Sequence, residues 1–564
     1  MKSKIEEILR KAVGSGPVDI FVPEKENFGH YSTNIALRLA KPSGKTPLEF
    51  AKELAEKIAV SAPAGLFEKV EAAPPGFVNF WLAKETVQNE FAKAAKEKTF
   101  GRSAAHKNKT VIVEYSQPNI GKMMHVGHLR TTIIGDALAN IFEYLGYKVI
   151  RWNYLGDWGT QFGKLIAAYK TWGDKRKVKE HPIDELQKLY VRFHDEAKRD
   201  PMLEMQGQAE FKKLEDGDKE NRKLWEWFKK ESLKELDKIY ATLGVGFDTY
   251  IGESFFEKNM RPLVEELRNE GILTKSGGAL IVNLDALKLP PALVLKADGA
   301  SLYLTRDIAA LRYRIIKFKP EKILYVVGNE QSLHFEQLFA IAKILRMDKA
   351  ELKHVKYGLV LGEAGTKLAT REGRTILLKD VLRKAIELAR KVVDEKNPAL
   401  QAKVKDKIAE AVGVGALKYN DLKENRNSDI TFNWERMLDF TGDSGPYLQY
   451  TYARLKSIIR KSQTSNLKSQ KFEMLNSDIE LALMRKIFEF PDEVARAGEA
   501  LMTSTLAAYL HKLAVLANKF YETTPVLKEE NPVRRAALLS LISVAAETLK
   551  NGLALLGIET TEEI

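Results

Sequence analysis

The stretch Thr110-Val-Ile-Val-Glu-Tyr-Ser-Gln-Pro-Asn-Ile-Gly-Lys-Met-Met-His-Val-Gly-His-Leu-Arg130 decides how the rest of the chain is read. Its opening, Thr110 to Tyr115, is a β-branched apolar run without alternation, the pattern of a strand buried on both faces. A helical pattern follows from about Leu129 to Leu145, so Ser116 to His128 is the turn between a buried strand and a helix. At such a turn the helix's amino-terminal NH groups and dipole stabilise a phosphate. Gly127 lets a flat ring or a backbone approach closely, His125 and His128 can donate to phosphate oxygens, and Lys122 adds a charge upstream. A tight turn with two capping histidines is the plainer alternative.

Strands Tyr147 to Arg151, Ile323 to Val327 and Tyr357 to Val360, with helix Leu333 to Leu345, repeat the alternation and predict a parallel α/β sheet. Residues 171–298 interrupt it with Leu224, Phe228, Leu233, Leu236 and Tyr240 at helical spacing, an insertion into the sheet domain. Upstream, helical spacing and the alternating Gly76-Phe-Val-Asn-Phe-Trp81 predict a small α+β domain ending near residue 105. After Val360 nearly every pattern is helical, which predicts a C-terminal helical bundle. The expected fold class is multidomain α/β plus all-α. Its units are 1–105, a Rossmann-like domain over 106–365 with the insertion at 171–298, a loop and helical region over 366–430, and a bundle over 431–564.

The 564 residues suffice for several such cores, and 45% apolar with 29% charged residues excludes a disordered or fibrous chain. With no cysteine there is no disulfide framework, thiolate nucleophile or Cys-based zinc site, and the nine histidines do not fall at metal-ligand spacing, so no structural metal is expected. The start lacks a signal-peptide core, and the longest apolar stretch, Ala536 to Ala546, is too short to span a bilayer. A cytoplasmic protein without membrane attachment is expected. The 89 Lys and Arg against 76 Asp and Glu give +13, which suits a polyanionic partner. From Arg454 to Phe472 there are basic residues and no acid, a pattern suited to a nucleic-acid backbone.

Gly44-Lys-Thr46 lacks the first glycine of a phosphate loop, and Gly413-Val-Gly415 lies in a helical pattern without the third glycine of a dinucleotide site. More promising are Tyr303-Leu-Thr-Arg-Asp307, Asn329-Glu-Gln331 and the Gly-rich basic stretch Leu361 to Arg374. In a parallel sheet the loops at the strands' carboxyl ends surround one crevice, where these could meet Glu114 to Asn119 and the two histidines. Taken alone, Asp307 is as readily a helix-dipole partner, Glu114 a salt-bridge member and the Gly-rich stretch a solvated connector.

Taken together, Phe28-Gly-His-Tyr-Ser-Thr-Asn34, Pro75-Gly-Phe-Val-Asn79, Glu114-Tyr-Ser-Gln-Pro-Asn119, His125-Val-Gly-His128, Gly156-Asp-Trp-Gly-Thr-Gln161, Tyr303-Leu-Thr-Arg-Asp307, Gly445-Pro-Tyr-Leu-Gln-Tyr450 and Leu549 to Ile558 resemble the arginyl-tRNA synthetases, which are class I aminoacyl-tRNA synthetases. The resemblance runs over nearly the whole chain. It implies activation of L-arginine with ATP and Mg²⁺, then transfer to the 2′-hydroxyl of the terminal adenosine of tRNA(Arg), by a monomer. It maps ATP binding onto Lys122, His125, Gly127, His128 and Lys367, with Lys122, His125 and His128 catalytic. The arginine pocket maps onto Glu114, Ser116, Asn119, His128, Tyr303, Asp307 and Gln331. Within that pocket Asp307 would grip the guanidinium fork that a lysine lacks, with Asn119 and Gln331 holding the ammonium and carboxylate ends.

tRNA contacts map onto Phe77 and Asn79 in the N-terminal domain, for a base at the outer corner of the tRNA, and onto Tyr447, Gln449, Tyr450 and Arg454 in the anticodon-binding bundle. Two features depart from the family pattern. The usual Lys-Met-Ser-Lys-Ser loop is reduced to Lys367-Leu-Ala-Thr-Arg371, so the resemblance favours Lys122 as the principal phosphate cation, and the chain ends in Ile564 where the family commonly has Met. A lysine-specific class I synthetase and a catalytically silent RNA-binding paralogue are the competing readings.

Overall fold

The computed structural model describes residues 1–14, 18–97, 99–296, 303–362, 376–462 and 471–564. The N-terminal unit holds α1 (Lys2–Val13), β1 (Tyr31–Thr33), α2 (Ile35–Leu39), α3 (Pro47–Ser61), β2 (Phe67–Ala73), β3 (Phe77–Leu82) and α4 (Lys84–Lys96). Its three strands form an antiparallel sheet in the order β1-β3-β2. Thr46 starts α3 with a capping box, its side chain accepting from Glu49 N while Glu49 reaches back.

The sheet domain begins with β4 (Thr110–Glu114), α5 (Gly127–Tyr144) and β5 (Lys148–Trp152). The insertion follows as α6 (Thr160–Trp172), α7 (Lys175–Glu180), α8 (Pro182–Ala197), α9 (Met202–Glu215), α10 (Lys219–Leu243), α11 (Glu257–Asn269) and the strands β6 (Leu273–Ser276), β7 (Ala279–Val282) and β8 (Ala292–Leu295). The chain then returns through α12 (Tyr303–Phe318), β9 (Lys322–Tyr325), α13 (Ser332–Ile344) and β10 (Glu351–His354). The sheet is fully parallel in the order β10-β9-β4-β5. From β4 the chain steps out to β5 and later returns on the other side to β9, so the order reverses at β4 and opens a crevice at its carboxyl end. Alternation along β4 sends Ile112 into one apolar cluster and Val111 and Val113 into another, which is why its run is continuous.

Two differences from the sequence expectation concern this sheet. The edge strand is β10, not Tyr357 to Val360; its Glu351 and Lys353 are exposed, so no apolar run announces it. The expected strand shrinks to β11 (Val360–Leu361), which pairs with β12 (Ile430–Thr431) outside the main sheet. Within the insertion, β6-β7-β8 form an antiparallel sheet that the helical patterns gave no sign of.

Beyond β11 come α14 (Leu378–Lys396), α15 (Ala402–Leu422), α16 (Trp434–Met437), α17 (Gly445–Lys461), α18 (Asp478–Phe488), α19 (Phe490–Ala500), α20 (Thr503–Thr523) and α21 (Pro532–Leu555). Helix α21 is long and apolar enough to cross a membrane, unlike the shorter stretch read from sequence, but it is largely buried inside the bundle. Helix α5 is buried nearly all round, between the sheet and helices α15, α19 and α21. Its buried charges are compensated from other elements, while Glu143 near its end is exposed and meets Arg151. Arg130 and Asp421 are 1% and 2% exposed, with Nε 3.0 Å from Oδ2, and Asp136 faces Lys418, which donates to the Gly557 carbonyl.

Candidate active site

The turn after β4 turns sharply because two non-glycine residues adopt left-handed backbone angles, Ser116 at φ 74° and Gln117 at φ 51°. Each such residue costs about 1–3 kcal/mol, so the surroundings must hold it. Ser116 N donates to the Thr131 hydroxyl at 3.1 Å, and the Ser116 hydroxyl lies 2.7 Å from that of Tyr240. Gln117 donates to Glu114 at 2.7 Å. Further along, Gly156 N donates to the Pro118 carbonyl and Ile120 N to that of Gly156. A Cβ on Gly156 would lie 2.3 Å from the Asn119 Oδ1, so any larger residue there would displace the Asn119 side chain.

His125 N donates to His128 Nδ1 at 3.2 Å, and Gly127 N to His125 Nδ1 at 3.1 Å. An accepting Nδ1 puts the proton of a neutral imidazole on Nε2, so each ring carries its free N–H on the side away from the turn. Burial pushes His125 below its ordinary range, and burial together with neighbouring His125 pushes His128 down to about 4. Both are uncharged near neutrality. The expectation of open helix N–H groups needs correction: Gly127 N is taken by the His125 ring, His128 N by the His125 carbonyl and Leu129 N by the Val126 carbonyl. A phosphate here would meet two imidazole N–H donors and the helix field.

Positive charge comes from Lys122, whose ammonium lies 5.0 Å from the Tyr190 ring centre and whose pKa burial lowers. Lys367 lies outside the described residues. The segment just after them is clamped to the histidine turn, Val126 N donating to Ile376 O at 3.1 Å and Leu378 N to Met124 O at 2.9 Å.

On the far side of the crevice, Asp307 on α12 meets His334 Nε2 at 2.7 Å. Burial disfavours the charged imidazole, but the hydrogen bond and charge of Asp307 prevail and hold His334 above its ordinary range. Tyr303 is 66% exposed and Gln331 and Asn119 are exposed, open to a ligand. Glu114 takes the plainer of its two readings, that of a salt-bridge member. It is buried and ion-paired with Arg314, itself enclosed by the rings of Trp152, Tyr154 and Tyr325, so a substrate would meet a carboxylate already compensated. Glu253 adds a second buried carboxylate; burial, opposed by Arg306 and reinforced by repulsion from Asp307, pushes it up to about 8.

Sequence reasoning missed Arg314, two turns along the Asp307 helix, His334, three residues past Gln331, and Glu253 in the insertion; none of them stands in a motif of its own. It also missed the polar face of α10. Trp225 Nε1 donates to the Asp157 carbonyl at 2.8 Å, Lys229 pairs with the Asp157 carboxylate at 2.5 Å, and the Ser232 hydroxyl accepts from Gly121 N at 3.2 Å.

Of the residues mapped to nucleic acid, Phe77 is half-buried with its ring edge-on to Phe21. Asn79 needs correction: it is 3% exposed and its Oδ1 accepts from the Ser32 hydroxyl at 2.7 Å, so it braces the sheet rather than facing a base. Gln449 needs the same correction. It is 0% exposed and donates to the carbonyls of Ala411 and Glu559, tying the chain's end to the bundle. Tyr447 is half-buried and its hydroxyl accepts from Asn518. Tyr450 and Arg454 line a cavity of about 540 Å³ together with Arg460, Lys461, Tyr521 and Ile564, the Arg454 guanidinium 4.8 Å from the Tyr450 ring centre.

Residues 90–434 match the family described as class I (R) tRNA synthetases, catalytic domain, and residues 448–564 the DALR anticodon binding domain. The fold and the histidine turn are therefore those of a class I aminoacyl-tRNA synthetase. Residues 1–82 match the arginyl tRNA synthetase N terminal domain. The chain is 42% identical to the arginine–tRNA ligase of Clostridioides difficile (strain 630), covering 100% of this chain and 98% of that protein. It is 44% identical to the arginine–tRNA ligase of Clostridium perfringens (strain 13 / Type A), covering 97% and 96%. Among solved structures, the Thermus thermophilus arginyl-tRNA synthetase superposes with a TM-score of 0.85 at 25% identity, over 100% of both chains. The chain belongs to the arginyl-tRNA synthetase family.

Proposed function

We infer that this chain joins L-arginine to its tRNA, using ATP and releasing AMP and diphosphate by way of an arginyl-adenylate. The observation that carries the chemistry is the histidine turn at the switch point of the parallel sheet, with its outward imidazole N–H groups and Lys122. The reaction needs no protein nucleophile. The arginine carboxylate attacks the α-phosphorus in line, diphosphate leaves, and the enzyme aligns the groups and neutralises charge developing on the phosphates. In this reading His125 and His128 donate as neutral groups, and Lys122 is the principal resident cation. Among the described residues no three His, Asp or Glu stand together as a metal site, and Mg²⁺ would arrive with the phosphates of ATP.

Asp307 supplies the guanidinium contact, with Tyr303 beside it, while Asn119 and Gln331 hold the α-ammonium and carboxylate. Ser116 and Glu114 shape the pocket from behind. A guanidinium donates two parallel hydrogen bonds to one carboxylate, which an ammonium cannot match, so arginine is chosen over lysine at binding. At the other end, Tyr450 and Arg454 offer a ring and a planar cation for stacking an anticodon base, and Phe77 offers a ring to an outer-corner base. We read the enzyme as a cytoplasmic monomer; sedimentation with and without tRNA tests the oligomeric state.

ATP–pyrophosphate exchange across the amino acids, with and without total tRNA, tests the whole reading. Arginine alone should support exchange. Exchange with lysine would refute Asp307 as the guanidinium reader, and tRNA binding without any exchange would favour a silent RNA-binding paralogue. Exchange that needs tRNA would mean that the free pocket is incomplete and that tRNA binding supplies the coupling free energy. The buried Arg130–Asp421 ion pair, with the attraction between Asp136 and Lys418 beside it, offers a physical route for it, because it joins the histidine helix to the region that carries the anticodon bundle.

A further inference from the structure

One stripe of helix α10, at Trp225, Lys229, Ser232, Leu236 and Tyr240, runs in steps of three or four residues and so shares a single face. Four of the five are polar at their tips, two of which end on Asp157 and the others on separate points of the catalytic crevice. Trp225 and Lys229 hold the carbonyl and carboxylate of Asp157, next to the glycine that hydrogen-bonds across to Pro118 and Ile120. Ser232 accepts from Gly121 N, one residue before Lys122. Tyr240 accepts from the Asn153 side-chain amide at 3.0 Å and meets the hydroxyl of left-handed Ser116 at 2.7 Å. Ser232 and Tyr240 are themselves fully buried, and the Tyr240 ring is fixed edge-on against Phe247. The strained turn therefore has its support from an insertion made about a hundred residues later, rather than from the sheet domain alone.

We propose that α10 is the positioning element of the active site, with Tyr240 setting the arginine side of the crevice through Ser116 and Ser232 setting the phosphate side through Gly121 and Lys122. Both side chains are enclosed, so they act through the groups they hold. A hydroxyl that fixes a substrate-facing turn contributes differently to the two substrates, whereas a residue that serves only stability would weaken both together.

This inference rests on the arginine-pocket reading above, and the test separates the two. In full-length enzyme, Tyr240→Phe keeps the ring and removes the hydroxyl. It should raise KM for arginine by about five- to tenfold with KM for ATP nearly unchanged, while the unfolding midpoint falls modestly because the buried Asn153 amide and Ser116 hydroxyl lose a partner. Ser232→Ala should show the reverse, a raised KM for ATP with KM for arginine unmoved. Combining Tyr240→Phe with Ser116→Ala should add little to Ser116→Ala alone, because the first acts through the second. Equal shifts in both KM values, no shift, or full additivity with Ser116→Ala would overturn the proposal. Asp307→Asn serves as the independent arm. If it raises KM for arginine while Tyr240→Phe does not, the positioning inference fails and the pocket reading stands; if Asp307→Asn leaves KM for arginine unchanged, the pocket reading itself fails.

Discussion

Replacing Arg130 by methionine should destabilise the catalytic unit by about 3–5 kcal/mol, because it strands a buried carboxylate. The Arg130 Nε donates to both oxygens of Asp421, at 3.2 and 3.0 Å, and its terminal nitrogens donate to the carbonyls of Ser428 at 3.0 Å, Leu359 at 3.4 Å and Arg426 at 3.4 Å. Methionine fills much of the volume but satisfies none of these acceptors. Asp421, fully enclosed, is then left to burial, which drives its pKa up further from its already raised position. The double variant Arg130→Met/Asp421→Leu removes the stranded charge and should recover at least about 2 kcal/mol of the loss, since an apolar pair of similar volume is often no worse than the ion pair. Urea unfolding followed by tryptophan fluorescence measures both values, and hydrogen exchange on α5 localises the loss. A cost below about 1 kcal/mol for the single variant, or a double variant no more stable than the single, would refute the idea that this pair bolts α5 to α15.

Lys122→Ala should reduce pyrophosphate exchange by about 100-fold or more, and Lys367→Ala by less, on the scale of losing one preorganised charged donor; the reverse order would make Lys367 the phosphate cation. His30 and His128 are both held near 4 in the folded protein, against 6.5 unfolded, so each contributes stability that is full above 6.5 and is lost as pH falls toward 4. The unfolding midpoint should therefore drop through that window, and a His128→Gln variant should drop less steeply. Arginine bound at Asp307 should release protons near neutrality, because a guanidinium there removes the carboxylate that holds His334 up and lowers the repulsion that holds Glu253 up. Titration calorimetry in buffers of different ionisation enthalpy measures this, and proton uptake would contradict the assignment. tRNA affinity should fall steeply with salt, and Arg454→Ala should weaken it further while leaving arginine activation with saturating tRNA nearly intact.

The histidine turn was legible because its chemistry is local: a buried strand, a polar turn with His-x-Gly-His and a helix lie within some thirty residues. The bundle was legible from periodicity. What escaped was of two kinds. Strand β10 is an edge of four residues in which exposed Glu351 and Lys353 alternate with half-buried Leu352 and His354, too short a pattern to stand out. The second kind is polar residues whose partners are remote. Asn79 and Gln449 look like surface amides, yet each is enclosed and bonded across the fold, and nothing nearby in sequence tells a reading amide from a bracing one. Tyr240 was visible only as one more residue on an apolar face, since a ring that packs and a hydroxyl that points into a network have the same spacing.

The pairing of α5 with α15 also sets a schedule for the growing chain. Arg130 and Asp421 lie 291 residues apart, and Asp136 waits nearly as long for Lys418. At about 5–20 residues per second, the ribosome needs about 15–60 s between making the first partner and the second. Throughout that interval Arg130 has no Asp421 to meet, so α5 cannot be enclosed as in the finished fold without burying an uncompensated guanidinium. The final enclosure of α5 therefore waits for the helices beyond residue 400 to emerge, which makes it a late event of synthesis.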